Sequence, residues 1–237
     1  MPITFRFRTV PLVATVIVAL VGVALGQWQT RRALQKEAIE VQLVSRQALP
    51  SLLLGAAPLQ PDEVEYRRVV ARGEFVAGWP VYLDNRPLHG AAGFYLLMPF
   101  HIVESQRYVL VARGWLPRDM ANRTRLPAVP TPAGTIEIEG VARRHPGRLL
   151  NLGQADAVRP GSIQQNLDIG EFAHVSQLAL QPFLLEQTTD THDGLVRDWP
   201  RPSSGAEMHR GYAFQWYSLA LMALLFFIAT GFRSGKK

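Results

Sequence analysis

The chain has 237 residues, a formal net charge of +6 and no cysteine. Without cysteine there is no disulfide framework, thiolate nucleophile, Cys-x-x-Cys redox or copper pair, or zinc ribbon. The positive charge is arginine-rich and scattered, with no basic run and no basic–aromatic interleaving. It reads as surface and membrane-flanking charge, with no nucleic-acid partner.

Residues 1–8 carry Arg6 and Arg8 and lead into Thr9 to Thr30, which holds no charged residue. As a helix rising about 1.5 Å per residue this run spans roughly 30 Å, the hydrocarbon thickness of a bilayer. Residues 9–30 are therefore predicted as a first transmembrane helix. A cleavable signal peptide has the same basic start and small residues such as Ala24 and Gly26, but the length of the apolar run favours a retained anchor. From Gln27 to about Gln47 there is no Pro or Gly and helix formers dominate. Trp28, Arg32 and Lys36 recur every fourth residue and so share a face. Leu49 to Pro61 reads as a loop.

From Glu65 the pattern turns to strands. They are expected at Tyr66–Phe75, at Val81–Leu83 before the turn Asp84–Pro87, at Gly93–Val103, at Arg107–Trp115, at Thr135–Val141 and at Gln181–Gln187. Pro99 inside the third run suggests an edge position or a bulge. Asp168 and Glu171 mark the start of a capped helix running to about Leu178, and Asp190 to Gly205 is polar, Pro-rich and irregular. Strands spaced by turns suggest an antiparallel sheet curled into a small barrel or a sandwich.

Gly211 to Phe232 is again free of charge, so residues 209–232 are predicted as a second transmembrane helix with an interfacial lead-in. Two spans put residues 1–8 and the tail 233–237 on one side. Arg6, Arg8, Arg233, Lys236 and Lys237 place that side in the cytoplasm, so residues 31–208 form a periplasmic domain if the source is a bacterium. Trp28, Tyr212, Trp216 and Tyr217 then share the outer interface. The predicted architecture is an α+β membrane protein: two transmembrane helices flanking a mainly antiparallel β domain with a short helix, set in the inner (cell) membrane.

No nucleotide-binding loop, nucleophile elbow or zinc-protease motif is present, and no base–nucleophile pairing is recognisable, so an enzyme is not expected. His89, His101, His145 and His174 stand alone. Asp190, His192 and Asp193 could be imagined as metal ligands, but a solvated loop is the simpler reading. His209 differs in its setting. On a helix it shares a stripe with Tyr212 or Ala213, Trp216, and Leu219 or Ala220, which puts an imidazole above an aromatic and apolar slot. Neutral imidazole is a common axial ligand of haem iron, and Arg210, Arg31 and Arg32 could meet the propionates. An interfacial histidine in an aromatic belt accounts for the same residues without a ligand. Met208 points about 100° away on the helix and could not easily bind the same iron.

Five pieces in order resemble the Surfeit locus protein 1 family of cytochrome c oxidase assembly factors. They are Leu25-Gly26-Gln27-Trp28-Gln29 with Arg32 and Lys36; Glu65-Tyr66-Arg67-Arg68-Val69 with Gly73; Asn85-Arg86 with Gly93-Phe94-Tyr95 and Pro99; Val109 to Pro117, containing Arg113-Gly114-Trp115; and His209 with Tyr212-Ala213 and Gln215-Trp216-Tyr217. Ala112, Met208 and Tyr217 depart from the family pattern. The resemblance implies a role in building oxidase subunit I, with His209 as axial ligand of haem a; Tyr212, Trp216 and Arg210, from the stripe and charge reading above, are expected around the cofactor. Haem would be held at the outer membrane surface and delivered to subunit I, with haem a synthase as a further partner besides membrane lipid. Trp28, Arg32, Arg113 and Trp115 are candidate partner contacts, although Arg113 to Trp115 read equally as a strand end closed by a buried Trp. The alternative function is a scaffold that stabilises an oxidase intermediate without touching haem.

Overall fold

A computed structural model of the chain describes residues 3–5, 8–122, 126–147, 149, 157–200 and 205–234. Arg6, Lys236 and Lys237, on which part of the orientation argument rests, lie outside the described residues, as do residues 201–204 of the expected irregular stretch. The chain divides into two compact units, one of Met1–Gln42 with Pro202–Lys237 and one of Leu43–Arg201.

The first unit is helical. A short strand β1 (Ile3–Phe5) precedes α1 (Thr9–Gln47), and α4 (Ala206–Gly231) ends in β10 (Phe232–Ser234). Both helices are long and apolar enough to cross a membrane. Helix α1 is 39 residues long, about 58 Å. It therefore runs well past the hydrocarbon thickness, as the breaker-free stretch to Gln47 led us to expect. β1 and β10 pair antiparallel, Thr4 opposite Arg233, so the two ends of the helical unit meet on the same side. Helix α4 starts earlier than predicted, at Ala206. Gly205 caps it in the left-handed conformation at φ 53°, which suits a residue without Cβ.

The second unit is a barrel. After β2 (Leu52–Leu53) and α2 (Pro61–Val64) come β3 (Arg68–Phe75), β4 (Val81–Leu83), β5 (Gly93–Ile102), β6 (Tyr108–Pro117), β7 (Ile136–Arg143), β8 (Ile163–Gln164), α3 (Ile169–Ser176) and β9 (Leu180–Gln187). The sheet order β3-β7-β9-β6-β5 closes because β3 also pairs with β5. Closure leaves no edge along these five strands and decides between the two predicted sheet forms. The central strands β5 and β6 are buried along nearly their whole length. One apolar cluster, with Val69, Phe94, Phe100, Val111, Phe183 and Leu185, fills the interior. A second, with Leu97, Leu110, Leu184 and Phe172 of α3, covers the other face. Asp168 accepts hydrogen bonds from the N–H groups of Gly170 and Glu171, the expected cap.

The sheet is mainly antiparallel, as expected, with β9 parallel to β6, β2 to β3 and β8 to β4. Of the edge position or bulge expected at Pro99, the bulge is absent: the register shift in β5 lies between Leu96 and Leu97. β5 passes from β4 at Leu97 to β3 at Phe100, and Pro99 sits between. Its carbonyl accepts from Val76 N–H. A strand residue turns its N and its O to the same side, so the missing N–H faces the gap between β3 and β4 and costs no ladder bond.

Candidate functional site

The helical unit brings together the residues that the sequence singled out around His209. Helices α1 and α4 run antiparallel and side by side. On α1 the buried positions Gly22, Gly26, Gln29 and Ala33 alternate spacings of four and three. On α4 Ala206, Ala213 and Ala220 recur every seventh residue. Small residues at heptad-like spacing let two backbones approach closely. At Gly22 an added Cβ would lie 3.0 Å from both the Ala220 Cβ and the Trp216 carbonyl oxygen. At Gly26 it would lie 2.6 Å from the Tyr217 ring.

His209 stands one turn inside α4 and is half-buried in this seam. Its Nδ1 lies 2.7 Å from Oε1 of Gln29, and Gln29 is only 9% exposed. An amide oxygen only accepts, so Nδ1 is the donor in this contact. Thr30 donates its hydroxyl to the Gly26 carbonyl and lies 3.5 Å from the Tyr217 hydroxyl. On one flank of the seam an open groove of about 330 Å³ is walled by Thr30, Ala33 and Leu34 of α1 and by Ala213, Phe214 and Tyr217 of α4. Arg210 borders it too and forms a 2.8 Å ion pair with Glu37.

The sequence foresaw the imidazole but not its surroundings. Tyr212 and Trp216 were expected to form the apolar slot, yet the rings lining the groove are Phe214 and Tyr217. Tyr212 is half exposed and Trp216 half-buried. The helix rotates by about 100° per residue, so residues 210, 214 and 217 face one flank while 212 faces another. Arg210 was expected to await a propionate, and it is held by Glu37 instead. Sequence alone marks Gln29 only as the end of the Leu25-Gly26-Gln27-Trp28-Gln29 motif. The signal that could have found it is a lone amide on the same face as the Gly22-x-x-x-Gly26 pair, a close-packing motif in apolar helices.

Of the four candidate partner contacts, Trp28 and Arg32 are exposed on α1, the guanidinium lying 6.0 Å from the indole ring centre. Arg113 and Trp115 are corrected to internal roles, since neither is exposed enough to meet a partner. Arg113 is fully buried and donates at 2.8 Å to Asp193 and to the Pro130 carbonyl, with the Phe75 ring 4.7 Å away. Trp115 donates its indole N–H to the Arg86 carbonyl at 2.7 Å and covers Gly93, where an added Cβ would meet the indole at 2.3 Å. Burial lowers the Arg113 pKa, opposed by its hydrogen bond to Asp193.

Asp193 does not sit in a solvated loop. Burial pushes its carboxyl up, but hydrogen bonds from Arg197, Thr191 and the Leu195 N–H hold it below the usual carboxylate range. Asp190 accepts from the His192 N–H and from Arg197. Among the described residues no group of three or more acidic, histidine or cysteine side chains could hold a metal ion. His89 is paired with Asp198 at 2.9 Å, and His101 meets the Ser105 carbonyl oxygen.

The SURF1 family model matches residues 16–221. A SURF1-like protein of Monosiga brevicollis is 23% identical, over 94% of this chain and 88% of its own length. Surfeit locus protein 1 of Rattus norvegicus is 26% identical, over 82% of this chain and 67% of its own. The cytochrome oxidase assembly protein SHY1 of Saccharomyces cerevisiae is 26% identical over a shorter stretch, 41% of this chain and 25% of that protein.

Proposed function

The chain belongs to the SURF1 family, and from that premise we propose that it is a non-enzymatic assembly factor for cytochrome c oxidase, anchored in a bacterial inner membrane by α1 and α4 with its β unit on the periplasmic side. In this reading His209 holds haem a at the outer membrane surface for transfer to oxidase subunit I, and haem a synthase is the donor. The observation that carries it is the 2.7 Å contact between His209 Nδ1 and Gln29 Oε1. With Nδ1 engaged by Gln29, Nε2 is the ring nitrogen that could ligate iron, as a neutral imidazole does. What supports the fit is the second ring nitrogen of His209, which Gln29 does not engage, and a groove on one flank of the same helix pair walled by apolar and aromatic side chains; His209 itself does not line that groove, and Arg210 at its border would have to leave Glu37 to meet a propionate. When bound, haem a supplies the redox centre that the oxidase needs. This chain's residues bind it, orient it and keep it from water.

The test is His209→Ala, co-expressed with haem a synthesis and purified in mild detergent. The expected result is loss of the bound-haem absorption spectrum with the protein still folded in the membrane. Unchanged haem content and spectrum would remove the ligand assignment. A scaffold without haem is the second reading, favoured by the outward Trp28–Arg32 pair. In that case His209→Ala still co-purifies with the oxidase, and replacing Trp28 and Arg32 abolishes it.

A further inference from the structure

We propose that Gln29 is the positioning residue of the site: by accepting the Nδ1 proton of His209 it fixes the ring as the tautomer whose Nε2 is free to bind iron. This rests on the haem-ligand reading of His209 and names a residue which that reading does not contain.

Three features of the pair support it. The bond is short, 2.7 Å, and links residues 180 positions apart, so it depends on helix packing and not on local chain geometry. Gln29 is buried in a seam otherwise built of Gly22, Gly26 and Ala33, where a polar group without a partner would be costly. A helix pair that needed only close packing would put alanine here. The chemistry is also directional. A neutral imidazole has one N–H and one lone pair, and a ligating histidine commonly gives its other N–H to an outer acceptor that sets tautomer and ring orientation. An amide oxygen does this without adding charge to an apolar helix pair, where a carboxylate would be expensive.

The test uses the full chain in detergent micelles, haem-free and labelled with 15N at histidine, with His209→Ala to assign the resonances. In the wild type the His209 ring should show a protonated Nδ1 and an unprotonated Nε2. Gln29→Leu keeps the volume and removes the acceptor. It should shift the ring towards the Nε2–H form and weaken haem binding about 10- to 100-fold. Gln29→Glu restores an acceptor and should return both the tautomer and most of the affinity, which a purely structural role for the amide would not produce.

An Nε2–H ring in the wild type overturns the proposal, because the amide would then be donating. Wild-type haem affinity in Gln29→Leu, or no recovery in Gln29→Glu, overturns it as well. The tautomer is read without haem, so failure of His209→Ala to lose haem sinks the ligand reading and leaves the hydrogen bond to be judged separately.

Discussion

At the scale of single residues, Glu186 shows most plainly what burial does to a charge. It sits on β9 opposite Ala112 and Val141 with the Arg143 guanidinium 3.4 Å away. Burial pushes its carboxyl from 4.5 up to about 7, against the pull of Arg143. The folded state therefore holds a proton that the unfolded chain releases near pH 4.5. Stability falls as pH rises through the interval from about 4.5 to about 7. At 1.36 kcal/mol per pH step, the loss is of the order of 3 kcal/mol. Glu186→Gln should remove that slope. Denaturant midpoints between pH 5 and pH 8 should fall for the wild type and stay level for the variant, which should be the more stable at pH 8. Parallel slopes would mean that the carboxyl ionises as it does in water. Glu186 carried no warning in the sequence, because its burial depends on strands that meet only in the closed barrel. Arg113 was half legible: the Arg-Gly-Trp end of β6 read as a strand closed by a buried Trp. Its partner Asp193 is 80 positions away, and no local pattern announces such a pair.

At the scale of elements, the helices were the most legible part, because an uncharged apolar run of bilayer length is rare outside a membrane span. Their seam was not, since the same apolar residues face lipid and neighbour alike. Small residues were the usable signal, and they make opposite predictions at two glycines. An added Cβ at Gly22 meets Ala220 and the Trp216 backbone at 3.0 Å, whereas at Gly211 nothing lies within 4 Å. Gly22→Leu should force the helices apart and cost about 1–3 kcal/mol. Gly211→Ala should gain about 0.5–1 kcal/mol from helix propensity alone. Thermal unfolding in detergent, followed by circular dichroism at the helix band, reads both. A Gly22→Leu chain as stable as Gly211→Ala would show that the seam is not close-packed. If His209 and Gln29 meet because of that packing, Gly22→Leu should also disturb the imidazole resonances while touching neither residue.

At the scale of the whole chain, strand positions were readable from alternation and turn residues. Closure of β3 onto β5 and the parallel pairing of β6 with β9 were not, because they join segments far apart in sequence. What holds the late segment onto the barrel is a buried charge cluster. Asp193 accepts from Arg113 and from Arg197, each at 2.8 Å. Close beside it Val196 and Trp115 exchange two backbone hydrogen bonds. The cluster holds two guanidinium groups and one carboxylate, so its members should not be equivalent. Arg113→Met leaves the Asp193–Arg197 pair intact and fills the same volume with an apolar chain. Replacing a buried ion by a well-packed apolar group is often close to neutral, and the cost here should stay within about 1–2 kcal/mol for the polar partners Pro130 and Thr131 left behind. Asp193→Asn removes the carboxylate that both arginines share; Arg197 keeps Asp190, but the fully buried Arg113 loses the charge it pairs with, which should cost about 3–5 kcal/mol. Chemical denaturation of the two variants gives the order directly. If Arg113→Met proved the more damaging, the arginine's bonds to Pro130 and Thr131, and not its charge pairing, would be what fastens residues 190–197 to β6.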